Sequence, residues 1–425
     1  MAVAERSEAP VAWWREPTRE QWHAWIAAWL GWTLDAFDFS IFLLIMLPIA
    51  QSFHVPLTAV TAVFTITLWM RLLGATGAGW LSDRVGRKWP LMISIAWYSL
   101  CNLIAGLAPS FWLLFLFRAL LGVGMGAEWP CGAALAMEQW PQRSRGFMAS
   151  ILQSSWGLGA LLSSAAYGLL YNAIGWRGLL IIGVLPSLLL FYIFRYVKEP
   201  AVWLENRRLQ RAQKREVRLP LLKIFKPAML PNTLTACWWM ASGFVTAYSL
   251  TALFPTYLQK DLHLSPGFVA LPVMLLNALF FLSSPLWGFV ADRVGRRWSM
   301  IIPAICGLAV TPLYLLTHNY TMIVIFYGLQ GAFAGGGIYS GNASYLSERF
   351  PTEVRATAAG FCYHQGAIFG GLTAPVLATL AGTWHTGFAI PMLIGTSVGL
   401  VSFIAALLAG PETKGKELVA EVVLA

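Results

Sequence analysis

Apolar runs of about 20 residues, the length of helix that crosses a bilayer, recur along nearly the whole chain, separated by charge clusters or Pro/Gly breaks. Six fall near residues 25–50, 57–80, 89–107, 111–137, 146–170 and 177–196, and six more near 228–258, 267–290, 298–316, 320–346, 356–381 and 388–409. The pattern predicts an all-α polytopic membrane protein of 12 transmembrane helices in two six-helix bundles. Its expected divisions are an N-terminal tail (1–24), a first bundle (25–197), a linker (198–226), a second bundle (227–410) and a C-terminal tail (411–425).

Composition agrees with lipid as the solvent. The 425 residues are 58% hydrophobic and 11% charged, with a mean hydropathy of +0.63, whereas soluble domains carry roughly 25% charged residues. The first 24 residues lack the apolar core and small-residue cleavage site of a secretory signal, so they are read as a cytoplasmic tail, with the first span as an uncleaved anchor. With both termini inside, 25 of the 29 lysines and arginines face the cytoplasm, which selects this orientation in a cell inner membrane. The net charge of +10 then reflects basic loops facing anionic lipid and calls for no nucleic acid. The longest hydrophilic stretch, Lys198 to Lys226, is expected to be partly helical and to lie along the membrane surface. Cys101, Cys131, Cys237, Cys306 and Cys362 are scattered within apolar segments without metal-ligand spacing and read as packing residues.

The loop after span 2 runs Gly79-Trp-Leu-Ser-Asp83-Arg84-Val-Gly86-Arg87-Lys88, and the loop after span 8 runs Gly288-Phe-Val-Ala-Asp292-Arg293-Val-Gly295-Arg296-Arg297. The matched positions stand 209 residues apart, and Pro141 to Arg145 repeats as Pro351 to Arg355 at an offset of 210. Two halves with the same loops in corresponding places mean an internal duplication. These loops, with Arg118-x-x-x-Gly122-x-Gly124-x-Gly126 in span 4 and Pro411-Glu-Thr-Lys-Gly415 after span 12, resemble the signature of the major facilitator superfamily over the entire chain. The resemblance implies two bundles rocking about a central site with alternating access. It makes Gly79, Asp83, Arg84, Gly86, Arg87, Gly288, Asp292, Arg293, Gly295 and Arg296 gate residues rather than ligands.

A charge near mid-bilayer costs at least about 2.5 to 3.5 kcal/mol on insertion scales, so the few that remain are candidate substrate and proton groups: Asp35, Asp38, Arg71, Arg118 and Glu128, joined by His364, Gln365 and Asn277. Asp35 lies ten residues into span 1, about 15 Å deep, with Asp38 one turn further on the same face. Two carboxylates that close in a low dielectric do not both stay ionised, which suits proton carriage. Arg118 is expected to grip a substrate carboxylate bidentately and, while the site is empty, to hold Asp35 ionised. Arg71 is either a second cavity cation or a side chain that snorkels toward the cytoplasm. Glu128 is expected to pair with a gate loop. Asn102, Gln153, Asn277 and Asn342 read as cavity-lining amides, and the glycines of spans 4 and 10 as places of close helix approach.

The stretch Gly31-Trp-Thr-Leu-Asp35-Ala-Phe-Asp38-Phe, Arg71 and Gly126-Ala-Glu128-Trp129 resemble the sialate and monocarboxylate proton symporters within that superfamily. Asn232-Thr-Leu-Thr235 is similar in part to lactate permeases, whose following His and Asp are replaced here by Ala236 and Trp239. The function implied is proton-coupled symport of a small organic anion, a monocarboxylate such as lactate or pyruvate, or sialic acid, by a monomer without cofactor. Two readings stand beside it: an aromatic-acid proton symporter, which also places two aspartates in span 1, and a transporter-like sensor that binds without moving its ligand. An enzyme would need a nucleophile or metal cluster at ligand spacing, and none appears.

Overall fold

The protein is described from a computed structural model over residues 15–213, 220–264 and 266–418. Most of the expected N-terminal tail (1–14), the linker stretch 214–219 with Lys214, Arg215 and Arg218, and the C-terminal 419–425 lie outside the described residues. Sixteen helices follow one another: α1 (Arg19–Phe53), α2 (Leu57–Val85), α3 (Lys88–Leu107), α4 (Phe111–Gln139), α5 (Arg145–Ile182), α6 (Ser187–Tyr196), α7 (Ala201–Ala212), α8 (Pro220–Ile224), α9 (Leu230–Thr251), α10 (Phe254–Lys260), α11 (Pro266–Val294), α12 (Arg296–Leu315), α13 (Tyr320–Gln330), α14 (Asn342–Arg349), α15 (Arg355–Trp384) and α16 (Ala389–Ala409). Among the described residues there is no strand.

Nine stretches of the described residues are long and apolar enough to cross a bilayer. One of them, Gln142–Tyr196, is 55 residues long and holds two spans. The threonines, Asn232 and tryptophans of α9 lower its hydropathy, and α2 carries an apolar run over 57–74 with Arg71 as its one charge; with these two the spans number twelve. The helix ends follow local chemistry. Thr18 and Gln21 cap each other reciprocally, so α1 begins at Arg19, before the apolar run itself.

The remaining differences from the sequence pattern are breaks inside spans. Predicted spans 5 and 6 run on as α5, bent at Gly175, whose φ of 63° glycine alone adopts without strain. The chain then leaves the helix at Gly183–Pro186 before α6, because proline supplies no amide to continue the ladder. Predicted span 7 divides into α9 and α10. Predicted span 10 divides into α13, a π-helical turn over Gly331–Gly337 and α14. The wide turn frees the Ala332 carbonyl, which accepts hydrogen bonds from Ser283 Oγ (3.2 Å) and Trp287 Nε1 (3.0 Å) of α11.

In the N-terminal bundle α1 packs on α5, and α2 and α3 pack on α4; in the C-terminal bundle α9 packs on α15 and α16, and α12 on α16. The bundles meet where α5 lies along α11 and where α2 and α4 lie along α15. A Cβ on Gly126 of α4 would strike the Arg71 carbonyl, so only glycine lets the two backbones touch there. Leu73, Trp112, Leu169, Leu188, Phe191, Leu282 and Leu286 point outward, forming the apolar exterior that hydrocarbon covers.

Candidate functional site

The intramembrane charges converge inside the N-terminal bundle, against α15 of the other half. Arg71 Nη2 donates to Asp35 Oδ2 at 2.6 Å, and both side chains are buried. The Arg71 guanidinium also faces the rings of Phe39 (5.1 Å) and Trp156 (5.7 Å). Arg118 lies one layer away. Its Nη1 donates to Asn102 Oδ1 at 3.3 Å, and its guanidinium sits 4.1 Å from the Phe42 ring centroid. Asp38 Oδ1 lies beside Asn102, the acceptor of that bond. The hydrogen bond of Asp35 thus goes to Arg71, and Arg118 forms a second couple with Asp38 through Asn102, beside which both lie. Asp38 and Asn102 face Gly183, where the helix is broken.

Neither couple is saturated. Asp35 Oδ1, both oxygens of Asp38, and Nε and Nη2 of Arg118 are buried without a hydrogen-bond partner. Unmade bonds to buried charged groups cost more than to neutral ones, so these atoms mark an unmet demand for a further partner. Glu128 is a third buried carboxylate. It does not reach the loops as expected: its carboxylate is buried against Gly31 of α1 and near Gly132, with both oxygens unpartnered.

An aromatic wall closes the site toward the other half. Trp129 of α4 stacks on Tyr363 of α15 at 4.1 Å, Trp32 lies 5.1 Å from Trp156 and 6.4 Å from Tyr363, and Phe244 of α9 meets Tyr363 edge-on at 5.2 Å. His364 is buried beside this wall, 6.5 Å from the Trp129 ring, with neither ring nitrogen bonded. Sequence reasoning passed over Trp32, Trp156 and Phe244; the available signal was a tryptophan deep within a span rather than at its ends. Gln365 turns away to bond the Cys237 and Cys362 carbonyls, and Asn277 bonds the Val273 carbonyl of its own helix. Neither touches the Asp–Arg couples.

At the end of the molecule carrying the repeated loops, the halves are cross-braced. Asp83 of α2 accepts from the Ala356 amide (3.1 Å), the Thr357 amide (2.9 Å) and the Thr357 hydroxyl (2.7 Å), capping the first turn of α15. Asp292 of α11 accepts from the Gly146 (3.0 Å) and Phe147 (2.8 Å) amides, capping the first turn of α5. Arg87 forks onto Glu138 (3.1 and 2.8 Å), which also takes Arg355 at 2.7 Å; Arg296 forks onto Glu348 (3.1 and 3.0 Å), with Arg145 at 3.6 Å. Gly86 and Gly295, at φ 116° and 107°, make the turns that let Glu199 and Glu412 bind the first amides of α3 and α12. Burial pushes the Glu199 carboxyl above its ordinary range, against the pull of the Arg87 and Lys88 amides. Glu138, Glu348, Glu199 and Glu412 had escaped notice as candidates, although they repeat between the halves. Arg84 and Arg293, expected in this set, point outward over Trp80 (5.6 Å) and Phe289 (3.6 Å), while Gly79 and Gly288 are contact points against α15 and α5.

Comparison with known proteins places this geometry. A family profile described as Major Facilitator Superfamily matches residues 28–282 and 240–422. The chain is 28% identical over 409 residues to a probable 4-methylmuconolactone transporter of Cupriavidus pinatubonensis, covering 95% of this chain and 94% of that one. It is 26% identical over 408 residues to the sialic acid transporter NanX of Escherichia coli, covering 95% and 97%. The solved proton:xylose symporter XylE superposes with a TM-score of 0.75 at 18% identity, over 94% of this chain and 98% of that one, a likeness of fold.

Proposed function

Since the chain belongs to the Major Facilitator Superfamily, we propose that it is a secondary transporter that carries a small organic anion together with protons by alternating access. The observation that carries this reading is the charge count of the buried site. Asp35, Asp38 and Glu128 stand against Arg71 and Arg118, leaving one negative charge in excess in a medium where a net charge costs several kcal/mol. One proton neutralises the empty site. An arriving monoanion restores the excess, and a second proton removes it. The loaded site then differs from the empty one by one anion and one proton and can pass through the membrane interior without net charge.

In this mechanism the unbonded nitrogens of Arg118 take the substrate carboxylate, and Asp38, released from Arg118, receives the proton. Asp35 and Arg71 transmit the change to the aromatic wall, since Arg71 lies against Trp156 and Trp156 against Trp32. The cross-braced end is the gate, and it is shut in this arrangement. In this reading it is the cytoplasmic end of a protein in a cell inner membrane, because the basic loops lie there.

Sialic acid and monocarboxylates such as lactate or pyruvate are the first candidates, on the resemblance to sialate transporters. A second reading, an aromatic acid as substrate, is favoured by Trp32, Trp129, Trp156 and Tyr363 packed beside the couples. Counterflow in proteoliposomes with labelled sialic acid, lactate, pyruvate and benzoate separates these readings. Uptake that persists unchanged without a proton gradient, sodium absent, would replace symport by facilitated diffusion, and binding without any counterflow would make the protein a sensor.

A further inference from the structure

A cavity lies far from the Asp–Arg couples, at the basic end of the C-terminal bundle. It measures about 440 Å³, and Asn232, Thr235, Arg349, Glu412, Thr413 and Lys416 contribute to its lining. The chemistry of this wall is lopsided. Arg349 is only 5% exposed, and two arms of its guanidinium are spent on α9: Nε donates to Asn232 Oδ1 at 2.7 Å, and Nη2 donates to the Asn232 carbonyl at 2.8 Å and to the Thr235 hydroxyl. The third, Nη1, has no partner. A buried guanidinium with a free fork arm at a cavity wall is an unmet demand for an oxyanion.

Glu412, the one acid in this wall, does not meet that demand. Its Oε1 accepts from the Arg296, Thr413 and Lys414 amides and its Oε2 from the Arg297 amide, so its charge faces the first turn of α12. The N-terminal turn of α9 adds the positive end of a 22-residue helix to the same wall. Arg349 and Lys416 outnumber that one acid in the wall, and the space exceeds what a phosphate needs.

We propose that this cavity binds a phosphoryl group through Arg349 and that occupancy favours the state in which the basic end is shut. The link to the gate is covalent and short. Arg349 follows Glu348, the acceptor of Arg296 and Arg145; Thr413 of the cavity wall donates to Glu348 at 2.7 Å; and the Lys416 carbonyl accepts from Arg145 at 3.1 Å. An anion that holds the segment 409–416 against α9 therefore holds the partners of Arg145 in place, and opening the gate must first loosen that segment. The phosphoryl group comes either from a soluble phosphate or from the headgroup of an anionic phospholipid, since the cavity lies between the ends of two spans, α9 and α16.

The test uses the full chain in nanodiscs of phosphatidylcholine alone. Inorganic phosphate, added against chloride at fixed ionic strength, should raise the thermal midpoint with a saturating dependence on concentration and slow substrate exchange. In a second arm, phosphatidylglycerol replaces a fraction of the lipid without added phosphate. A shift in the first arm alone identifies a soluble source, and a shift in the second a headgroup. Arg349→Gln should abolish whichever shift the parent shows, while Arg208→Gln, on the exposed linker helix, should keep it. Should Arg349→Gln fail to fold, Thr235→Asp places a carboxylate against the same guanidinium and should abolish the shift by occupying the site. The proposal is overturned if neither phosphate nor phosphatidylglycerol shifts the parent, or if the shift survives in Arg349→Gln or Thr235→Asp. Because the midpoint is read without substrate, the outcome is independent of whether the transport reading holds.

Discussion

Arg71 holds Asp35 at 2.6 Å with both side chains buried, so each compensates the charge of the other. Removing one partner of such a pair costs about 3–5 kcal/mol, whereas removing both leaves no stranded charge. Arg71→Gln should therefore lower the thermal midpoint sharply, and Asp35→Asn combined with Arg71→Gln should recover much of the loss. Equal melting of the single and double variants would mean that the pair does not hold the site together.

Asp38→Asn alone keeps the shape of the site but removes the group that takes the coupled proton. The expected outcome is exchange of labelled substrate across the membrane without accumulation against a gradient. Arg118→Lys should impair transport by at least about tenfold, because an ammonium lacks the planar fork that takes a carboxylate. Gradient-driven uptake and exchange, measured side by side in proteoliposomes, read both. An Asp38→Asn protein that still concentrates its substrate would move the coupling role to Asp35.

The charge count sets the electrical character of transport. One proton per monoanion makes the cycle electroneutral, so a pH gradient, acid on the side of entry, should drive uptake, while a potassium diffusion potential imposed at equal pH should leave the initial rate unchanged. A rate that rises with an inside-negative potential would require more than one proton per anion.

Asp83 and Arg293 should now behave differently. Asp83 caps α15 through two amides and a hydroxyl, and losing such a cap costs about 0.5–2 kcal/mol. Asp83→Ala should open the basic end in about two- to thirtyfold more of the population, seen as spin-label distances between α2 and α15, with substrate affinity within a few-fold of the parent. Arg293 lies exposed over Phe289, and Arg293→Ala should shift stability by no more than about 0.5 kcal/mol.

Sequence reached the spans and the buried charges because both break a strong rule: twenty apolar residues have few uses outside a bilayer, and a charge inside such a run needs a reason. It did not reach the pairing. Whether Asp35 meets Arg71 or Arg118 depends on how far α1, α2 and α4 rotate about their axes, and that is set by backbone contacts such as Gly126 on the Arg71 carbonyl. The breaks at Gly183–Pro186 and Gly331–Gly337 were hidden for a related reason, since an apolar run reads the same whether its hydrogen bonds close on the fourth residue or the fifth. Glu138 and Glu348 sit at the last turn of their helices, where an acid reads as solvated, yet each receives two guanidinium groups.

The two caps at the basic end are reciprocal. The acid of the first half closes a helix of the second, at Asp83 on Ala356 and Thr357, and the acid of the second half closes the matching helix of the first, at Asp292 on Gly146 and Phe147. That is the pattern of a two-fold, isologous contact, in which one surface patch meets its own copy. Each half thus carries both the plug and the socket of the same joint. A single half of this ancestry, before duplication and fusion, would have been complete only as a homodimer, and the linker turned an encounter between two chains into an event within one.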